Sequence, residues 1–204
     1  MRKIIVCGID TKVGKTVVSA ILVQMLSADY WKPIQAGSLD FSDTQKVKRW
    51  VSYSAAQFFP EAHRLSSPLS PHHASYLDGI SIAPENIQIP QNTQTLIIET
   101  CGGVMTPLND QFFLCDLFTS HDYEWILVSK NYLGSINHTL LALEYLKSRS
   151  LKVLGLIFNG EPNNHTESFI LQHSKLPLLG RLFPEEEIDQ QIILKYALLW
   201  QKNF

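Results

Sequence analysis

Apolar and polar positions along the chain fall into two alternating patterns. Short runs that are almost wholly apolar and rich in β-branched residues occur at KIIVC (3–7), TLIIE (95–99), WILVSK (125–130), KVLGLIFN (152–159) and LPLLGRLF (176–183). Each reads as a strand buried on both faces, because a half-exposed strand would alternate apolar with polar. Between them, apolar residues recur at helical spacing. Residues 15–28 carry Val18, Ile21, Leu22 and Met25 on one face, residues 135–149 carry Ile136, Leu140, Leu143 and Leu146, and residues 185–202 carry Ile188, Ile192, Tyr196 and Leu199. Residues 43–53 predict a helix capped by Ser42, and residues 111–120 and 164–174 predict two more. YWKPIQAG (30–37) is a short extended run ending in a loop. Residues 54–93 hold five prolines and read as loops with one short helix near Pro71–Leu77. Strand–helix alternation with uniformly apolar strands predicts an α/β fold, a mostly parallel sheet with helices on both faces, in one domain over residues 1–204.

Composition narrows the partners. The chain has 204 residues, 45% of them hydrophobic, enough for one sizeable core. A formal net charge of −2 gives no basic field for nucleic acid, so a small molecule or another protein is expected. No apolar run approaches the roughly 20 residues that span a bilayer. The three cysteines, Cys7, Cys101 and Cys115, have no ligand-pair spacing and suit packing in a reducing cytoplasm. His63, His72 and His73 lack the spacing of a metal site. Trp31, Trp50, Trp125 and Trp200 are scattered and read as core or interface anchors, and Lys46, Lys48 and Arg49 as a solvated helix face.

The candidate chemistry lies where strands end. KIIVC runs into GIDTKVGKT (8–16), followed by a helix. A glycine turn whose backbone N–H groups meet a helix N-terminus binds phosphate oxygens, and this identifies a P-loop nucleotide-binding fold. Lys15 would pair with the terminal phosphates, and the Thr16 hydroxyl would hold magnesium. The usual loop has four residues between its first glycine and Gly-Lys, whereas here there are five, Ile9 to Val13. TLII ends in Glu99, as a strand presenting a carboxylate to magnesium would. Asp43 is either a further magnesium ligand or ordinary helix-start chemistry beside Ser42. For Lys32, held extended by Pro33, spacing alone favours a surface lysine over one aimed into a site.

Taken in order, these residues resemble the dethiobiotin synthetase family. The loop matches that family's GTDTxVGKT at Gly8, Asp10, Thr11, Val13, Gly14, Lys15 and Thr16, with the same five intervening residues. Lys32-Pro33 leading to Gly37, Ser42-Asp43, Ser70-Pro71-His72, Glu99-Thr100-Cys101-Gly102-Gly103 followed by Thr106-Pro107-Leu108, the run Leu133–His138, Asn159 and the run Pro177–Gly180 match further motifs along nearly the whole chain. The resemblance implies an ATP- and Mg2+-dependent closure of 7,8-diaminononanoate with carbon dioxide into a cyclic urea, by a cytoplasmic homodimer. It implies Lys15, Lys32 and Thr11 as catalytic residues. The nucleotide would meet Lys12, Val13, Gly14, Lys15, Thr16, Val17, Asp43, Glu99, Gly102, Asn159 and Pro184. Magnesium would be held by Thr16, Asp43 and Glu99. The diamine would meet Ala36 and Pro71, with its carboxylate reaching Gly134, Ser135 and Asn137 across the subunit interface.

Four departures accompany the resemblance. Ala36 stands where the family has a hydroxyl residue, and Thr100 and Cys101 replace a glycine and an alanine. The segment from Thr16 to Lys32 is several residues short, which predicts a stunted second strand. After Gly180 the run RLFPEEE diverges from the family's tail. The alternatives are a partition-type ATPase switch of the same fold, which would carry a lysine where this chain has Asp10, and a catalytically impaired scaffold.

Overall fold

The computed structural model describes residues 1–91 and 94–204; Asn92 and Thr93, the end of the irregular stretch, lie outside the described residues. Strands β1 (Lys3–Gly8), β2 (Asp29–Trp31), β4 (Phe58–Phe59), β6 (Leu96–Glu99), β7 (Tyr123–Lys130), β8 (Lys152–Asn159) and β9 (Leu178–Leu182) form a seven-stranded sheet in the order β4-β2-β6-β1-β7-β8-β9. Every pairing in it is parallel. Strands β3 (Ile34–Ala36) and β5 (His63–Leu65) make a separate parallel pair. The helices are α1 (Lys15–Leu26), α2 (Asp43–Trp50), α3 (Pro71–Asp78), α4 (Ser135–Ser148), α5 (Asn164–Ser174) and α6 (Gln190–Trp200).

Two apolar clusters lie on the two faces of this sheet. Successive residues of β1 feed opposite clusters: Ile5 and Cys7 pack with Trp125, Phe118 and Phe158, while Ile4 and Val6 pack with Ile21, Leu22 and Tyr196. Both faces being covered explains the continuous apolar strands. Helix α1 is buried almost all round, Val18 to Val23 without interruption, because it lies between the sheet and the helices α2 and α6.

Local signals set the helix starts. Ser42 and Gln45 form a reciprocal capping box at α2, Ser42 N–H donating to Gln45 Oε1 at 2.7 Å. Pro71 opens α3 at a position where no N–H is needed. Asp189 caps α6 by accepting from Ile192 N–H at 2.8 Å.

Three expectations change. The helix predicted over 111–120 is a single tight turn, Leu114–Phe118. The closing helix starts at Gln190, so Ile188 precedes it; of the predicted face Tyr196 is buried and Ile188 and Ile192 pack against the core, but Leu199 is 52% exposed and Ile193, Ala197 and Trp200 are buried in its stead. The YWKPIQAG run splits at Lys32-Pro33 into two strands of different sheets.

A steric consequence follows at β9. A Cβ on Gly180 would lie 2.5 Å from Cδ2 and Cε2 of the buried Trp200 ring. Gly180→Ala must therefore displace the tryptophan, at a cost of about 1–3 kcal/mol. Urea unfolding followed by tryptophan fluorescence should show that loss, and an unchanged midpoint would contradict this packing.

Candidate active site

The strand order assembles the site. Adjacent strands β2, β6 and β1 end, respectively, next to Lys32, at Glu99 and at Gly8, with Trp31 opposite Ile98 and Val6 opposite Glu99. Neighbouring parallel strands lie about 4.8 Å apart, so residues at their carboxyl ends meet. This edge is where open α/β sheets bind ligands.

Lys32 is the centre of the resulting cluster. Its ammonium donates to Asp43 Oδ2 at 2.5 Å and to Glu99 Oε1 at 2.9 Å, and the residue is 4% exposed. The surface reading of Lys32 is thus corrected. Burial alone would depress its pKa, but Glu99 and Asp43 outweigh that and hold it above the ordinary lysine value. Asp43 loses some affinity for its charge through burial, yet Lys32 and Lys46 keep its carboxyl below the usual range. Lys46 reaches Asp43 Oδ1 at 2.7 Å, so it is part of this cluster rather than a purely solvated face. Asp43 is the first residue of α2, while the cap is Ser42. Gln35 Oε1 accepts from Asp43 N–H at 3.2 Å and ties the helix start to β3.

Glu99 is 1% exposed. Its Oε1 also accepts from the Thr16 hydroxyl at 2.8 Å, and its Oε2 from the Tyr30 hydroxyl at 2.8 Å. Burial and then the Glu99 charge push the Tyr30 phenol well above its ordinary pKa, so it is a protonated donor. Sequence reading missed Tyr30, because a tyrosine in an apolar run looks like core.

The glycine loop closes over Lys15. The Lys15 ammonium donates to the carbonyls of Asp10 at 2.8 Å and Gly102 at 2.7 Å, joining the loop after β1 to the loop after β6. Burial lowers its pKa. Gly14 caps α1 with φ 99°, and a Cβ there would lie 2.5 Å from Asn159 Nδ2. Only glycine meets both conditions. Asn159, at the end of β8, donates to the Val13 carbonyl at 2.8 Å and so buttresses the loop. Thr11 and Lys12 are exposed, with Lys12 at φ 55°, while Val17 is half-buried on the first turn of α1. Pro184 is exposed just beyond β9.

The remaining predicted residues line neighbouring hollows. A cleft of about 840 Å³ is bounded by Asn131 to Asn137, including Gly134 and Ser135, and by Glu161, Asn163 and Thr166. Ser135 is 1% exposed, and its Oγ has no partner among the described residues. A second hollow of about 370 Å³ lies between Ile9, Ser70, Gly103 to Pro107 and His138 and Leu141 of α4. It connects the glycine loop to the start of α3, where Pro71 is buried, and to α4. Ala36 is half-buried at the end of β3. Leu133, Leu141 and Met105 around these hollows are 103%, 61% and 51% exposed.

The oxygen set of Thr16, Asp43 and Glu99 suits a hard cation: two carboxylates and a hydroxyl with an ammonium already held between the carboxylates. Among the described residues no group of three or more His, Cys, Asp or Glu side chains could hold a metal. With a protein set this short, a bound magnesium ion would have its remaining positions filled by phosphate and water. No described helix is long and apolar enough to cross a membrane.

The chain matches a family model described as an AAA domain over residues 2–191. It is 48% identical over 202 residues to the ATP-dependent dethiobiotin synthetase BioD of Chlamydia pneumoniae, covering 99% of this chain and 90% of that protein. It is 46% identical over 198 residues to the protein of that name from Christiangramia forsetii, covering 97% and 95% respectively. The septum site-determining protein MinD complexed with Mg-ADP from Pyrococcus horikoshii superposes with a TM-score of 0.56 at 18% identity, covering 96% of this chain and 94% of that one, a likeness of fold alone.

Proposed function

The chain belongs to the ATP-dependent dethiobiotin synthetase family, a family of ligases, and from that premise we propose how its site makes a cyclic urea. One amine of 7,8-diaminononanoate attacks carbon dioxide and loses a proton, giving a carbamate. A carbamate oxygen then attacks the γ-phosphorus of ATP and ADP leaves, forming a carbamic–phosphoric anhydride. The second amine attacks the anhydride carbonyl, phosphate departs, and the ring closes with loss of a proton.

The observation that carries this reading is the Lys32 ammonium buried between Asp43 and Glu99, one hydrogen-bonded step from Thr16 of the glycine loop. A carbamate and a triphosphate repel each other. Fixed positive charge between them removes that barrier without acid–base work. Lys32 would take the carbamate, and Lys15 would follow the phosphoryl group by leaving the neutral carbonyls of Asp10 and Gly102 for a charged acceptor. Thr11 and Lys12 would border the diamine on the open side of the loop.

Thr16, Asp43 and Glu99 would hold magnesium, which when bound neutralises phosphate charge. Val13, Gly14 and Val17 would supply N–H groups to phosphate. Gly102, Asn159 and Pro184 would border the nucleotide, with Asn159 and Pro184 on the base side. Ala36 and Pro71 would line the diamine's path.

We place a homodimer on the exposed Leu133, Leu141 and Met105. The α4 N-terminus of a second copy, with N–H groups of Gly134, Ser135 and Asn137, would receive the substrate carboxylate. The reading is of a single cytoplasmic domain over residues 1–204. Incubated with ATP, magnesium, bicarbonate and diaminononanoate, the protein should release phosphate only when the diamine is present. Diamine-independent release, or none, would sink the reading.

A further inference from the structure

Glu99 has donors on both oxygens, and they come from different elements. Oε1 accepts from Thr16 on α1 and from Lys32 after β2, and among the described residues Oε2 accepts only from Tyr30 on β2. Tyr30 is fully buried on the sheet face covered by α1, α2 and α6, with its ring 6.2 Å from that of Phe58. Phenylalanine would fill the same apolar volume. The hydroxyl adds nothing to that packing, and it donates its hydrogen bond to Glu99. A carboxylate turns freely about its last torsion unless a partner stops it. Fixing Oε2 from below leaves Oε1 facing the glycine loop.

We propose that Tyr30 is a positioning residue for the nucleotide site: its hydroxyl holds the Glu99 carboxylate in the one orientation that presents Oε1 to Thr16 and Lys32. Without it, one carboxylate oxygen loses its donor and the group can swing out of the plane in which the other oxygen meets both Thr16 and Lys32. Loss of a group that orients a metal-binding side chain typically costs about 10- to 100-fold in metal affinity. This inference rests on the magnesium reading of Thr16, Asp43 and Glu99, and not on the identity of the diamine.

The test is Tyr30→Phe, read by calorimetric binding of a non-hydrolysable ATP analogue over a range of magnesium concentrations. The magnesium needed for half of its effect on analogue affinity should rise about tenfold or more, while affinity for the metal-free analogue stays at the unaltered protein's value. A magnesium curve unchanged by the substitution would overturn the assignment. So would an equal weakening with and without magnesium, which marks a slackened fold instead. If Tyr30→Phe does not fold, Tyr30→Met, which also lacks the hydroxyl and adapts to a buried apolar site, takes its place in the same titration; as a second arm, Tyr30→Phe/Glu99→Gln is compared with Glu99→Gln. Coincident curves support action through Glu99, because coupled residues are non-additive; a further loss overturns it. Phosphate release by the unaltered protein decides the reaction separately. Its failure would refute ring closure, while a Tyr30-dependent magnesium curve would still support the role of Tyr30.

Discussion

Replacing Lys32 with alanine is expected to reduce turnover by about 100- to 1,000-fold while the protein still binds magnesium-ATP. The Lys32 ammonium is the charge buried between Asp43 and Glu99, and among the described residues no other lysine bonds to both carboxylates. Lys46 reaches only the outer oxygen of Asp43. Once Lys32 is removed, the carbamate loses the cation beside it and only Lys15 and magnesium, on the phosphate side, offset its repulsion from the triphosphate, whereas the loop that cradles phosphate is untouched. Stability should also fall, by about 3 kcal/mol, because Glu99 is left buried without its counter-ion. Rapid-quench turnover with saturating ATP, beside calorimetric nucleotide binding, separates the two roles. If ATP affinity collapses and the rate of the bound enzyme does not, Lys32 serves the nucleotide and not the carbamate.

Lys15→Ala should show the opposite division. Lys15 is held by two neutral carbonyls, those of Asp10 and Gly102, in a site that already disfavours its charge. An incoming phosphate replaces them with anionic oxygens, and a hydrogen bond between charged groups contributes about 1.5–3 kcal/mol. ATP affinity should therefore drop about 10- to 100-fold. The folded protein loses only a bridge between two loops, about 1 kcal/mol. Calorimetric titration with a non-hydrolysable ATP analogue measures the drop. Undiminished affinity with a lost rate would mean that Lys15 meets phosphate only in the transition state.

Most of the sheet was legible because burial on both faces leaves a simple mark, a run of apolar residues. β1, β6, β7, β8 and β9 all carry it. β4 and β5, of two and three residues, are too short for any periodicity to register. The split of YWKPIQAG follows from Pro33, whose carbonyl accepts from His63 N–H at 3.1 Å as the chain turns into the second sheet. The phosphate loop was legible because its function depends on contiguous residues.

Spacing alone did not place Lys32, which only the family resemblance put in the site, because its partners are distant in sequence: Asp43 is 11 residues away and Glu99 is 67. Tyr30 and Glu99, 69 residues apart, pose the same problem. Asp43 looked equally like a ligand or a helix-start residue, and geometry gives it both a place in the first turn of α2 and a bond to Lys32. On α4 the fully buried side chains are Ser135, Thr139, Ala142, Leu143 and Leu146, so the predicted Ile136 and Leu140 lie at the edge, against the cleft. Short polar residues on a buried face are invisible to a pattern built on apolar ones.

In the proposed reaction the Lys32–Asp43–Glu99 cluster and the glycine loop join carbon dioxide to a diamine at the expense of ATP. Carbon-13 bicarbonate, diaminononanoate and magnesium-ATP supplied to the protein, with the product followed by carbon-13 resonance and phosphate counted in parallel, tests it most directly. The label is expected to move into a cyclic urea carbonyl with one phosphate released per ring. Phosphate release with no labelled urea would contradict it.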